Sequence, residues 1–306
     1  MILLTGAGGG IGAGALRLFR AQGLDVLPVF HAASFKKEND GFALDLSDMG
    51  QVTQLADALP SSLDTVMHLA GVKMISLTTD PRGAQRPPIP GAQDVPAIYR
   101  SNVLATANLL KLCSLRKLKR LIFASSQTVY GLPAQEDLTE DTPRAPLEYY
   151  AASKVACEDM LRLATGQGLA VTCLRFPGIY GDTPSSGTVW KFCEDALKRQ
   201  EVVMDAAIAL PFDVLHLDDL LDGLLRSARF PASGWNCLNL STGERCSLEL
   251  LAREIAGLVS GCKLRITGVQ QPVIRMVNTK ARDVLGWSAK PRHERLAGLL
   301  HQIQHA

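Results

Sequence analysis

The stretch Met1-Ile-Leu-Leu-Thr-Gly-Ala-Gly-Gly-Gly-Ile-Gly-Ala-Gly14 decides the fold. Its first four residues are apolar and do not alternate with polar ones, the pattern of a strand buried on both faces of a parallel sheet. Gly6, Gly9 and Gly12 follow at a spacing of three, and residues 13–21 continue with helical periodicity. A backbone without Cβ atoms turns tightly and lets a diphosphate approach, while the free N–H groups at a helix start favour negative charge. Strand, glycine turn and helix in this order predict a dinucleotide-binding unit.

Outward from that turn the alternation repeats. Residues 24–30 (LDVLPVF) read as a second strand, Phe42-Ala-Leu-Asp-Leu-Ser47 as a short apolar run, 49–59 as a helix, and 65–70 (TVMHLA) as a buried strand before Gly71. This βαβαβ order predicts an α/β protein with a Rossmann-type, doubly wound parallel sheet, whose ligands lie beyond the carboxyl ends of the strands. In an NAD-selective site a carboxylate at the end of the second strand bonds the ribose. Phe30 and His31 stand there instead. Ser34, Lys36 and Lys37 follow, and they read either as partners for the 2′-phosphate of NADP or as a solvated loop. Asp45 reads as a cap or an adenine contact, and His68, inside an apolar run, as a hydrogen-bonded core residue. Residues 74–96, dense in Pro, Gly and Gln, read as a loop or lid, 97–118 as a helix, and 120–124 as a strand leading into Ser125 and Ser126.

With 306 residues the chain can bury a sizeable core, as two domains or one elaborated domain. A net charge of +2 gives no global field for nucleic acid or an anionic membrane. Seven cysteines without a CxxC pair or His–Cys cluster predict reduced thiols and no metal site. The apolar run at the start lacks a basic flank, and no stretch is long enough to span a bilayer, so a soluble, cytoplasmic protein is expected.

The chemistry is carried by Glu148-Tyr-Tyr-Ala-Ala-Ser-Lys154, on a pattern that continues as a helix. Tyr150 and Lys154 are four residues apart and share a face. An ammonium near a phenol lowers its pKa, which lets tyrosine act as acid or base. Ser126, at the preceding strand end, can bond the same substrate oxygen, and the three together predict an alcohol–carbonyl redox site.

With these motifs the chain resembles the extended short-chain dehydrogenase/reductases, in particular the NAD-dependent nucleotide-sugar epimerase/dehydratase group. Thr5-Gly-Ala-Gly-Gly-Gly-Ile-Gly12 looks like the family's TGxxGxxG, His68-Leu-Ala-Gly71 like its strand-end motif, and Asn102-Val-Leu-Ala-Thr106 like its N-V-x-G-T helix. The resemblance implies that Ser126, Tyr150 and Lys154 are catalytic. It further implies that the cofactor, NAD or NADP, is held along the turn by Gly6, Gly9, Gly10, Ile11 and Gly12. Further along, His31, Asp45 and Leu46, then Leu69, Ala70, Gly71 and Asn102, and finally Pro177 and Ile179 join Tyr150 and Lys154 in holding it. Leu174-Arg-Phe-Pro-Gly-Ile-Tyr-Gly181 and Val214-Leu-His-Leu-Asp-Asp219 match the segments where such proteins enter and leave a substrate domain. The domains are therefore expected at 1–174 plus 213–240 for the dinucleotide, and at 175–212 plus 241–306 for a smaller α+β substrate module.

Two departures bear on the reaction. Dehydratases of the family carry Asp-Glu after the catalytic hydroxyl residue, where this chain has Gln127 and Thr128, so dehydration is disfavoured. His68-Leu-Ala-Gly-Val-Lys73 and Ser125-Ser-Gln-Thr-Val-Tyr-Gly131 are similar to segments of UDP-galactose 4-epimerases, although their asparagine after the Leu-Arg strand is Gly178 here. The resemblance implies Lys73, Ser126, Gln127 and Gly178 as substrate contacts and a homodimer paired through helices 96–116 and 147–166. Arg245 and Arg275 read as diphosphate partners or surface residues. In the C-terminal third, 235–240 reads as a strand, 247–259 as a helix capped by Ser247, and 278–287 resembles the family's "SKA…LGW" stretch. The expected activity is nucleotide-sugar epimerisation by hydride transfer, with a one-way NADPH-dependent ketone reductase as the alternative. A non-catalytic dinucleotide sensor or scaffold is the reading from another class.

Overall fold

The computed structural model describes residues 1–38, 40–73, 94–181 and 187–305. Its first half runs β1 (Ile2–Thr5), α1 (Gly10–Ala21), β2 (Val26–His31), β3 (Lys36–Glu38), β4 (Gly41–Leu44), α2 (Met49–Ala58), β5 (Thr65–His68), α3 (Val95–Tyr99), α4 (Ala105–Arg116), β6 (Arg120–Ala124), β7 (Asp137–Leu138) and α5 (Tyr149–Ala164). It continues through β8 (Ala170–Arg175), β9 (Gly178–Tyr180), α6 (Thr188–Arg199), β10 (Glu201–Ala206), β11 (Val214–His216), α7 (Leu217–Arg229), β12 (Trp235–Asn239), α8 (Leu248–Leu258), β13 (Lys263–Gly268), β14 (Arg275–Met276), α9 (Thr279–Leu285) and α10 (Arg292–His305).

Eight strands form the main sheet in the order β12-β8-β6-β5-β1-β2-β4-β3. Every neighbouring pair is parallel except β3 with β4, which is antiparallel. The order reverses at β1, between β5 and β2, and the crevice at such a reversal is where α/β sheets bind ligands. All four residues of β1 are buried, as their unbroken apolar run requires. Lys36 and Lys37, read from the sequence as a loop, instead form the exposed outer strand β3, held by pairing to β4 rather than by any apolar side chain.

Apolar side chains cover both faces of the sheet. Leu55, Leu109, Leu112 and Phe123 lie in one cluster, and Phe19, Leu224, Leu238 and Trp287 in the other. A third cluster, with Trp190, Phe192, Leu251, Ile255 and Leu296, gathers around the β10–β13 pair and helices α6, α8 and α10. Helix α8 begins where the Ser247 hydroxyl accepts the Leu250 N–H, a cap that contributes about 1 kcal/mol. Between α3 and α4, Arg100–Leu104 forms a π-helical turn where the sequence predicts uninterrupted helix, and such turns often mark functional sites. Val95 and Pro96 already belong to α3, and the remainder of the predicted lid, residues 74–93, lies outside the described residues. No helix among the described residues is long and apolar enough to cross a membrane.

Candidate active site

The glycine turn divides into two functions. Gly6 has φ +75°, and a Cβ there would lie 2.7 Å from the Ala70 nitrogen; a Cβ on Gly12 would lie 2.0 Å from the Gly6 oxygen. Close backbone packing therefore demands these two. A Cβ on Gly10 would meet nothing within 4 Å, and one on Gly9 would meet only the Gly6 oxygen, at 3.5 Å. These two leave open space before the first N–H groups of α1, whose N-terminus has no side-chain cap and no acidic residue in its first turn. The cradle fits a dinucleotide diphosphate. Ile11, Leu69 and Gly71 continue from it along the wall of a cavity of about 500 Å³.

The three predicted catalytic residues converge on this cavity. Ser126 follows β6 and begins a short 3-10 turn, its hydroxyl accepting the Thr128 N–H (3.2 Å) and the Thr128 hydroxyl (3.1 Å). Tyr150 lies in the first turn of α5, and Lys154 one turn on. Burial pushes the Tyr150 phenol up to about 12; a hydrogen bond with Ser126 pulls the other way, and the Glu148 charge adds to the rise. Lys154 is fully enclosed and burial lowers its pKa. Its Nζ donates to the Ala124 carbonyl (2.8 Å) and lies 4.7 Å from the centre of the Phe123 ring and 5.8 Å from that of Tyr150. The sequence reading gave Lys154 the task of lowering the Tyr150 pKa. Here the ammonium is bonded to backbone, and the phenol stands protonated at neutral pH because desolvation outweighs the nearby positive charge.

Asn102 ties this geometry together from within the π-turn. Its Oδ1 accepts the Val72 N–H (2.8 Å), and its Nδ2 donates to the Val72 carbonyl (3.1 Å) and to the Ser153 hydroxyl (2.9 Å). The exit of β5 is thereby fixed to the residue preceding Lys154. A Cβ on Gly71 would fall 3.2 Å from Asn102 Oδ1 and 3.3 Å from Lys154 Nζ, so the strand exit must be bare there. His68 is a core histidine: its ring nitrogens meet the hydroxyls of Thr5 (2.8 Å) and Thr106 (3.2 Å). Burial, helped by the Lys154 charge, lowers its pKa to about 3, which keeps it neutral.

Pro177, Gly178 and Ile179 line the opposite wall with Tyr180, Val189, Phe212 and Val214. Composition and spacing do not single out these last four, although Phe212 directly precedes a strand motif recognised from the sequence. Lys73 stands at the cavity edge, exposed, its Nζ 5.9 Å from the centre of the Tyr150 ring. Gln127 is turned behind the wall: its N–H donates to the Phe176 carbonyl (3.0 Å), its Nε2 to the Pro211 carbonyl (3.5 Å), and its buried Oε1 has no partner. His31 is exposed at the end of β2. Asp45 acts as a turn cap, its Oδ1 accepting the N–H (2.8 Å) and hydroxyl (2.7 Å) of Ser47, while the carbonyl of buried Leu46 accepts Asn108 Nδ2 (2.9 Å). Arg245 and Arg275, considered for a diphosphate, are paired instead with Glu136 (2.5 Å) and Asp137 and do not line the cavity.

A family model described as the NAD dependent epimerase/dehydratase family matches residues 2–240. A UDP-glucose 4-epimerase of Azospirillum brasilense is 26% identical over 98% of this chain and 89% of its own length. One from Mycolicibacterium smegmatis is 27% identical over 93% of this chain and 92% of its own. Among solved structures, MoeE5 in complex with UDP-glucuronic acid and NAD superposes with a TM-score of 0.73 at 25% identity, covering 99% of both chains. Pal from Bacillus thuringiensis gives 0.77 at 22% identity and 99% coverage of both, a likeness of fold.

Proposed function

Because the chain belongs to the NAD dependent epimerase/dehydratase family, we propose that this NAD(P)-dependent enzyme is a nucleotide-sugar epimerase acting at C4 of the sugar. The observation that carries this reading is the convergence of Ser126, Tyr150 and Lys154 on a single cavity that begins at the open glycine cradle. The UDP-glucose 4-epimerases among its relatives, and UDP-sugar-bound MoeE5, support a nucleotide-linked substrate.

Gly9, Gly10 and the start of α1 would hold the dinucleotide diphosphate, and Lys154 and Asn102 the cavity end of the cofactor. When bound, an oxidised nicotinamide supplies the hydride acceptor and a positive charge that favours phenolate. Tyr150 removes the proton of the sugar hydroxyl as its carbon is oxidised and returns it after the sugar has turned over. Ser126 bonds the same oxygen and holds it before the phenol. Lys154, anchored on the Ala124 carbonyl, fixes a positive charge that favours the ionised tyrosine as the proton leaves. Lys73, at the edge, is placed to bond the sugar or its phosphate.

One observation favours a second reading. The Tyr150 phenol, held near 12, is ready as a proton donor, and the exposed His31 replaces an acidic ribose partner; both suit reduction of a ketone by NADPH. Exposed Leu104 and Leu115 by α4, with Tyr149 and Leu163 on α5, support a homodimer paired through these helices, and the absence of disulfides a cytoplasmic setting. The deciding experiment supplies UDP-glucose without added reductant and follows UDP-galactose. Turnover that falls by about two to four orders of magnitude in Tyr150→Phe, with dinucleotide binding retained, agrees with the mechanism. NADPH consumption without isomerisation selects the reductase, and unchanged turnover in Tyr150→Phe rejects the acid/base role.

A further inference from the structure

Phe212 and Val214 face the cavity, and Asp213 between them turns into the C-terminal module, 1% exposed. Its peptide carbonyl accepts the Gly178 N–H (3.2 Å), which joins the two sides of this wall. Its Oδ1 accepts the Val214 N–H (2.8 Å), and its Oδ2 has no hydrogen-bond partner. On the far side stands Arg292, at the start of α10 and 5% exposed. Arg292 Nε donates to Glu254 of α8 (2.7 Å), and Nη2 to the Arg245 carbonyl (3.2 Å) with Glu244 at 3.6 Å; Nη1 has no partner. A buried carboxylate oxygen and a buried guanidinium nitrogen, each unpaired and within each other's field, form an unfinished contact across the joint between the cavity wall and the C-terminal helices.

We propose that Asp213 is a positioning residue: its carboxylate, drawn toward the unpaired Nη1 of Arg292, anchors the Phe212–Val214 wall to α10 and sets how tightly substrate is held. This rests on the reading that the wall receives the substrate, but the anchor can be tested without substrate. The groups facing Asp213 are Arg292 from α10, with Glu254 of α8 behind it, and Glu244 and the Cys246 thiol from the segment before α8. The Tyr180 phenol on β9 also lies within the field of Arg292. Burial pushes the Asp213 carboxyl up to about 7, against the Val214 N–H, the Arg292 charge and the Cys246 thiol, while the Glu244 charge pushes it higher. The charged form, which Arg292 attracts, therefore rises about ninefold between pH 6 and pH 8.

The test is hydrogen–deuterium exchange of the whole protein, read at amides 211–216 and corrected for intrinsic exchange. Protection in the native chain should rise by about ninefold from pH 6 to pH 8, and in Asp213→Asn it should not change with pH. No rise in the native chain, or the same rise in Asp213→Asn, overturns the proposal. Should Asp213→Asn fail to fold, Arg292→Lys, which keeps the charge but removes Nη1, must shrink the rise; an unchanged rise overturns the anchor equally. With UDP-glucose, the native KM should fall over the same range while kcat follows its own profile, and Asp213→Asn should show a pH-independent KM. Exchange that behaves as expected while UDP-glucose neither binds nor reacts would sink the epimerase reading and leave the anchor standing.

Discussion

Replacing Glu158 by alanine should be among the most destabilising single changes in the molecule. Glu158 lies on α5 one turn beyond Lys154 and is 1% exposed. Its Oε1 accepts the Ser125 hydroxyl (2.6 Å) and Arg175 Nε (2.9 Å); its Oε2 accepts Arg175 Nη2 (2.6 Å) and Arg144 Nη1 (3.2 Å). Arg175, the last residue of β8 and 4% exposed, would be left buried without its counter-charge. Removing one partner of such a pair costs about 3–5 kcal/mol, against a total stability of roughly 5–15 kcal/mol. Because apolar replacement of both partners is often nearly neutral, Glu158→Leu with Arg175→Met should recover most of that loss. The effect on pH runs in a definite direction. Burial alone would raise the Glu158 carboxyl, but the Arg175 bonds and charge, the Ser125 hydroxyl and Arg144 hold it below the usual carboxylate range. Its stabilisation is therefore complete above the unfolded glutamate value and is lost as pH falls through the lower folded value, so Glu158→Gln should flatten the acid limb. Urea unfolding across pH measures all of this. A cost below about 1 kcal/mol for Glu158→Ala, or a double variant no more stable than the single one, would refute the reasoning.

Two other substitutions separate fold from cofactor. Gly12→Ala places a methyl 2.0 Å from the Gly6 oxygen and should lower thermal stability sharply, whereas Gly10→Ala meets open space and should keep the melting temperature while weakening NAD(H) binding in titration. Equal melting losses in both would show that the open cradle is not reserved for a ligand. His31→Asp supplies the carboxylate missing from the end of β2 and should lower NADP affinity relative to NAD by about tenfold or more in competitive binding; an unchanged ratio would place the 2′-position elsewhere.

Where one local rule governs an element, the sequence reads well. The apolar run of β1, the spacing of Gly6, Gly9 and Gly12, the strand at 120–124 and the Ser247 cap each depend on near neighbours, and each is where its pattern predicts. The opposite holds for β3, whose Lys-Lys-Glu has no strand signature and exists through its pairing with β4. The π-turn at Arg100–Leu104 is likewise invisible, since a helix-compatible sequence gives no sign that Asn102 must bond Val72 and Ser153 at once. Tyr150 and Lys154 were legible as a pair through their helical spacing, but the state of the phenol was not. That depends on desolvation by walls such as those around Phe123 and Ser126, which only the fold assembles. Asp213 and Arg292 carry no motif toward each other at all.

The outermost strand also bears on how the protein keeps to itself. All four residues of β4 are buried, and without a neighbour that strand would end the sheet in a row of unpaired peptide groups, a template for another chain. β3 takes up that edge with three residues, all of them exposed and charged. A second molecule approaching there meets a short strand that runs against the sheet's direction and carries two lysines, so a parallel sheet built to hold a ligand at its centre is kept from growing at that rim.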